Sequence, residues 1–254
     1  VLPWVTITGS MAYNEMGVLA FGAAALLIVL SESGTTRGGA AAAGLLVGAA
    51  TLSKLTAGVM IAMPMGLILL LGLTRGAPAA AGDEATPSVA EKPTGFKHGV
   101  QLAAIAALMG ATMLSPYLVR NYVATGNPVF PFAAERLGAG HWDDTIVARW
   151  DTAHGLSPKD EGRLDTLSRQ WLLNTGYGAI GGRPTPRETE NMARFDREGG
   201  VPGLWIAVIV GGVLLLKQRE ARPIACGMGL MLGVQVLFWM FATHMQSRFL
   251  LPTV

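Results

Sequence analysis

SPYLVRNYVATGNPVFPF, Ser115 to Phe132, is the stretch whose reading decides how this chain is built. It closes an apolar run, Val100–Leu118, about one membrane thickness long, and opens a long polar segment, Val119–Gly200. Arg120 and Asn121 lie at that boundary. Gly126, Pro128 and Pro131 follow, and together they forbid continuation of a helix. The pattern predicts a chain that leaves a bilayer, keeps a fixed cation at the rim, and stays ordered as it enters water.

Composition agrees. With 51% hydrophobic and 14% charged residues, the chain is too apolar for an ordinary soluble domain and too charged for a bare helix bundle. Several membrane helices plus one substantial polar loop account for both. The net charge is only +2 and no basic tract carries interleaved aromatics, so nucleic acid is not an expected partner. The one cysteine, Cys226, sits in an apolar run, which excludes an intrachain disulfide and a Cys-based metal site. The chain has no initiator Met or leader before Val1, and a new apolar segment begins at RFLLPTV, Arg248–Val254. It reads as the middle of a larger polytopic protein.

Six apolar spans stand out: Met16–Leu30, Ala40–Leu52, Thr56–Leu73, Val100–Leu118, Val201–Leu216 and Ile224–Thr243. The expected fold is all-α, a polytopic transmembrane helix bundle of about six crossings with a folded, mainly helical exoplasmic loop. Residues 1–118 hold the first four crossings, with a flexible linker at 74–98 rich in Ala, Pro and Gly. Residues 119–200 form the loop domain, and 201–254 hold two more crossings and the start of another. The second and third spans meet at Ser53–Lys54, and one continuous helix there would be about 50 Å long, so a tight hairpin tipped by Lys54 is expected. Alternating sense puts Arg37, Arg75, Lys92, Lys97, Lys217, Arg219 and Arg222 on one side, which the positive-inside rule makes cytoplasmic. In the large loop, Ser157-Pro158-Lys159-Asp160 has the form of a helix start, and Leu164, Leu167, Trp171 and Leu172 make an apolar stripe behind it. A second short helix is expected over Pro186–Arg197, after the Gly/Pro turn Gly176–Pro186.

Ionisable groups cluster at the exoplasmic ends of the spans: Glu15 before the first, Lys54 at the hairpin tip, Arg120 after the fourth and Arg248 at the last segment. Charges at the membrane edge cost far less than charges at the midplane, so each of these groups taken singly reads equally well as an interfacial anchor that snorkels to water or headgroups. Four on one face, beneath a folded loop, suit a cavity for an anionic lipid phosphate. Arg120 and Arg248 would offer forked hydrogen bonds and Lys54 a compact charge. Glu15 would hold a sugar hydroxyl, an amine or a divalent cation. The midplane stretches are Ala, Gly, Leu, Val and Met, which argues against a transporter. His141, Trp142, Asp143 and Asp144 stand together at the loop start. Trp142 can stack on a sugar face and an Asp can serve as base, or the group can simply cap the helix beginning IVARW. His154 and His244 read as ordinary loop or interface residues. No histidine pair has metal-ligand spacing with a carboxylate, and no P-loop is present.

Three pieces of this sequence resemble the C-type (GT-C) membrane glycosyltransferases, specifically glycosyltransferase family 39 and the aminoarabinose-transferase group. They are AYNEMGVLAFGAAALL (Ala12–Leu27), GAATLSKLTAGVMIAMP (Gly48–Pro64), and SPYLVRNYVATGNPVFPF with the distant SRFLLP (Ser247–Pro252). The resemblance implies a bacterial inner-membrane enzyme that moves a sugar from a polyprenyl-phosphate donor to a lipid, glycan or protein acceptor on the exoplasmic face. By position it puts Glu15 near the donor sugar, and Lys54, Arg120 and Arg248 on the lipid phosphate. Asn121, His141, Trp142, Asp143 and Asp144 are candidate acceptor or sugar contacts. The family's catalytic base is an acidic residue in a first exoplasmic loop, so here it is expected upstream of Val1. The alternatives are a ligase or polymerase of lipid-linked glycans, and a non-enzymatic polytopic transporter or scaffold.

Overall fold

The computed structural model describes residues 14–74, 95–154 and 204–242. Among these, every regular element is helical. They are α1 (Glu15–Leu30), α2 (Arg37–Ser53), α3 (Met63–Leu70), α4 (Phe96–Thr125), α5 (Ala134–Leu137), α6 (Asp144–His154), α7 (Leu204–Lys217) and α8 (Arg222–Ala242). Within the described residues, each apolar span read from the sequence is helical over most of its length. Most of the linker, the apolar stripe 164–172, the segments 176–186 and 186–197, His244 and Arg248 lie outside the described residues. At the linker's end, α4 already begins at Phe96.

Two helices, α4 and α8, are long and apolar enough to cross a membrane, while α1 and the helical stretch Gly58–Leu70 are shorter. The uncharged run of α4 between His98 and Arg120 rises about 30 Å, the thickness of a bilayer's hydrocarbon core. Only 6% of α4's most apolar window is buried within the fold, and Val100, Leu108, Met113 and Val119 face outward. A helix that formed the core of a water-soluble domain would bury such residues.

Backbone proximity, made possible by missing side chains, holds the bundle together. α1 and α2 form an antiparallel pair joined by a 3-10 turn, Glu32–Thr35. Thr36 caps α2, its hydroxyl accepting from the Gly39 N–H at 3.0 Å. Gly44 and Gly48 of α2 meet Ala106 and Gly110 of α4; a Cβ at Gly48 would stand 2.7 Å from the Gly110 carbonyl oxygen. Both pairs keep the same offset, so α2 and α4 run parallel, with α3 returning between them. Close approach of this kind is how apolar helices gain dispersion energy where burial from water supplies none. α8 lies across α3, with Gly227 against Leu30 and Leu73 at one end and Gln235 against Met60 further along. Val29, Ala40, Ile61, Met65, Ile68 and Leu69 fill the space between these helices.

Two prolines interrupt the ladders, and in both places a side chain repairs the loss. An α-helix would direct the N–H of residue 64 at the Met60 carbonyl, but Pro64 has none and its ring crowds that oxygen. The chain widens there into a π-turn, Gly58–Ala62, with the Met63 N–H reaching back to the Gly58 carbonyl. The Gln235 amide, 1% exposed, donates to the Met60 carbonyl at 3.1 Å. In α4 the carbonyl that Pro116 leaves unbonded is that of Thr112, and the Ser115 hydroxyl donates to it at 2.8 Å.

The first repair is testable. Gln235→Leu is expected to cost about 1–3 kcal/mol, the price of an unsatisfied buried carbonyl. In a Pro64→Ala background residue 64 regains its N–H, and the cost of Gln235→Leu is expected to fall by at least half. Thermal unfolding of the four proteins in detergent reads the cycle, and equal costs in both backgrounds would remove Pro64 from the explanation.

Candidate functional site: the end of the bundle that carries Glu15 and Lys54

The alternating directions of the helices bring the start of α1 and the ends of α2, α4 and α8 to one end of the bundle. The closest approach is again set by a glycine. A Cβ at Gly17 would stand 2.7 Å from the Ser53 hydroxyl and 3.2 Å from its Cβ, so glycine lets the last turn of α2 sit close on the first turn of α1 without displacing that side chain. Lys54 follows as the C-cap of α2 in extended conformation, and its ammonium donates to Glu15 Oε1 at 2.8 Å. The Glu15 side chain is 9% exposed and that of Lys54 26%. The pair is thus a carboxylate sunk in the bundle with a lysine above it that still reaches solvent or headgroups.

The α2–α4 register puts Pro116 level with Lys54 and Arg120 one helical turn further out. Arg120 is exposed and makes no hydrogen bond or ion pair with a described residue. α4 ends where the sequence requires: Gly126 takes φ +75, a left-handed value that suits glycine, and its N–H bonds the Tyr122 carbonyl.

The turn after Gly126 is organised by Asn127, which is fully buried. Its Oδ1 accepts from the Val129 N–H at 3.0 Å, and its Nδ2 donates to the carbonyls of Phe132 (2.9 Å) and Gly138 (3.1 Å). An Asn that bonds the backbone two residues on is a turn-former with a mechanism. Tyr117 and Asn121 both donate to the Phe130 carbonyl, at 3.3 and 3.1 Å, and so fold the turn back on α4. The Phe130–Pro131 bond is cis. Phe130 packs on Trp142 (centroids 4.7 Å apart) and His141 (5.7 Å), while Trp150 meets Phe132 (5.3 Å) and Trp142 (6.4 Å).

The sequence candidates therefore separate. Glu15 and Lys54 are brought into contact, and Arg120 stands at the same end one turn above Lys54. Asn121 is committed to the Phe130 carbonyl. Asp143 caps α6, its Oδ1 accepting from the Ile146 N–H at 2.8 Å, while Asp144 is exposed in the first turn of that helix. His141 is exposed and Trp142 half-buried, both against Phe130. No group of three or more His, Cys, Asp or Glu that could hold a metal occurs among the described residues.

Sequence reasoning missed Tyr117, Asn127, Trp150 and Gln235. Asn127 and Gln235 did leave signals: an Asn-Pro dipeptide at a helix end, and a lone amide inside an apolar run. This end of the bundle carries a partly exposed ammonium bonded to a buried carboxylate, with the Arg120 guanidinium one turn further out on α4 and a turn bonded back onto that helix. Lys and Arg side chains suit the oxygens of phosphate and carboxylate groups, Arg by forked hydrogen bonds and Lys by a compact charge. No family model, curated protein or solved structure matches this chain.

Proposed function

We propose that the chain is part of a membrane glycosyltransferase that takes a sugar from a polyprenyl-phosphate donor, with the donor phosphate held at the Lys54 end of the bundle. The observation that carries this reading is the Glu15–Lys54 pair at 2.8 Å, at the end of the bundle where α4 carries Arg120 one turn further out. A membrane setting is supported by α4, whose apolar surface faces outward over a bilayer's thickness. Lys54 and Arg120 would hold the phosphate, joined by Arg248, and Glu15 would face the donor sugar. Departure of a sugar-linked phosphate develops negative charge, which fixed cations in a water-poor site stabilise. The acceptor would approach from the side of the aromatic turn, where Trp142 offers a ring and Asp144 a carboxylate. The large loop would face the exoplasmic side of a bacterial inner membrane.

The test is sugar transfer by the full-length protein in proteoliposomes supplied with polyprenyl-phosphate-linked sugars. Arg120→Ala and Arg248→Ala are each expected to raise the donor KM about tenfold or more. Transfer by both variants with unaltered donor KM would remove the phosphate assignment. A diphosphate donor would instead point to a ligase or polymerase of lipid-linked glycans. One observation favours transport: the π-turn with Gln235 is a broken helix with a polar group inside an apolar bundle. Solute flux in the same liposomes without transfer chemistry would select that reading.

A further inference from the structure

We propose that the turn joining α7 to α8, Lys217 to Arg222, is a docking site for an anionic phospholipid, with the lipid phosphate on its cations and an acyl chain along the outward face of α7. The turn lies at the end of the bundle opposite Lys54, since Gly227 near the start of α8 sits against Leu30 and Leu73. The two sites are therefore independent. Lys217, Arg219 and Arg222 are all exposed, and Glu220 is the one acid between them. Among the described residues, none of Lys217, Arg219 and Glu220 forms an ion pair. Arg222 is held in place: its Nε donates to the Leu216 carbonyl at 3.1 Å, an acceptor at the end of α7 where carbonyls lack intrahelical partners. That bond keeps the guanidinium beside the backbone of Lys217 and leaves its other N–H groups for a ligand.

The apolar part of the site is continuous with the charged part. Val210, Val213, Leu214 and Lys217 follow at i, i+3, i+4 and i+7, so they share one face of α7. The three apolar residues are each about half exposed, and Leu216 beside them is exposed too. From Val210 to Lys217 the helix rises about 10 Å, most of the depth of one leaflet's hydrocarbon. A free anion makes no use of that stripe, and a neutral lipid gains little from the cations. A phospholipid of net negative charge uses both. Each basic residue just outside a membrane helix favours anionic lipid by about fivefold, and the bond at Arg222 lowers the ordering cost of one of the three.

Native mass spectrometry of the full-length protein in a non-ionic detergent, titrated with dioleoylphosphatidylglycerol, reads the site. Dioleoylphosphatidylcholine is the arm with the same chains and no net charge. Glycerophosphoglycerol is the arm with the same phosphodiester and no chains. The first phosphatidylglycerol is expected to bind about tenfold tighter than phosphatidylcholine, and glycerophosphoglycerol should not compete with it. Lys217→Gln with Arg219→Gln, which spares the Arg222 bond, should abolish the preference. Arg37→Gln with Lys97→Gln removes the same charge from the same end of the bundle and should retain it. Glu220→Gln removes the acid within the turn and should tighten phosphatidylglycerol binding about threefold.

A preference that survives Lys217→Gln with Arg219→Gln would overturn the assignment. So would an equal fall in the Arg37 and Lys97 variant, because net charge alone would then explain the binding. Competition by glycerophosphoglycerol would mark a site for a free anion, and a parent that binds both lipids alike has no site; either result overturns the proposal. If the double variant fails to fold, Glu220→Gln decides, and unchanged or weaker phosphatidylglycerol binding there is the contrary result. Loss of the preference with the turn alone, and a gain with Glu220→Gln, supports the site.

Discussion

Leucine in place of Gly48 is expected to cost about 3 kcal/mol or more and to leave much of the protein misassembled in detergent. A Cβ at that position already stands 2.7 Å from both the Gly110 carbonyl oxygen and the Met113 Cβ. A backbone carbonyl cannot step aside as a side-chain tip can. The helices must therefore separate, and all the dispersion energy gathered along the Gly44–Ala106 and Gly48–Gly110 line goes with them. The same separation would move the outer end of α4, and Arg120 with it, away from Lys54. Gly38→Ala is the control on the same helix: no atom lies within 4 Å of its Cβ position, and the change should be neutral or stabilise by up to about 1 kcal/mol. Thermal unfolding in detergent, with size-exclusion profiles, reads both. Equal behaviour of the two variants would mean that α2 and α4 do not pack along this line.

The second large effect is at the ion pair. Lys54→Met is expected to destabilise by about 2–4 kcal/mol, because it leaves the Glu15 carboxylate in the bundle without its lysine. The partial exposure of Lys54 keeps the figure below that of a fully buried pair. Adding Glu15→Gln to Lys54→Met removes the buried carboxylate's charge, and most of the lost stability should return. An intact protein with Lys54→Met alone would show that the carboxylate finds water or another donor there. A double variant no better than the single one would show that Lys54 contributes through its stem rather than its charge.

The bundle's helices were legible because each is a continuous apolar run, and the end of α4 because Gly126, Pro128 and Pro131 permit nothing else. The grouping of Glu15, Lys54 and Arg120 at one end followed from alternation of direction. Their pairing did not. It joins residues distant in sequence, with Ser53 close against Gly17, and such a contact leaves no periodic trace. Gln235 was hidden for a related reason. One amide in a long apolar run reads as a tolerated impurity until Pro64, on another helix, is seen to leave a carbonyl for it. Asp143 shows the opposite case: a carboxylate that suggests chemistry in isolation becomes a helix cap once the Ile146 N–H is found against it. Asn121 likewise looked like a polar contact at a rim and is the strut that holds Phe130 to α4.

Photocrosslinking tests the central claim most directly. A polyprenyl phosphate bearing a photoreactive group next to the phosphate is irradiated with the full-length protein in membranes, and the labelled peptides are mapped. The account predicts label at the start of α1, around Lys54 and on the last turns of α4, competed away by unlabelled polyprenyl phosphate and lost with Lys54→Met. Label spread evenly along the outward faces of α4 and α8, and unaffected by competitor, would contradict it.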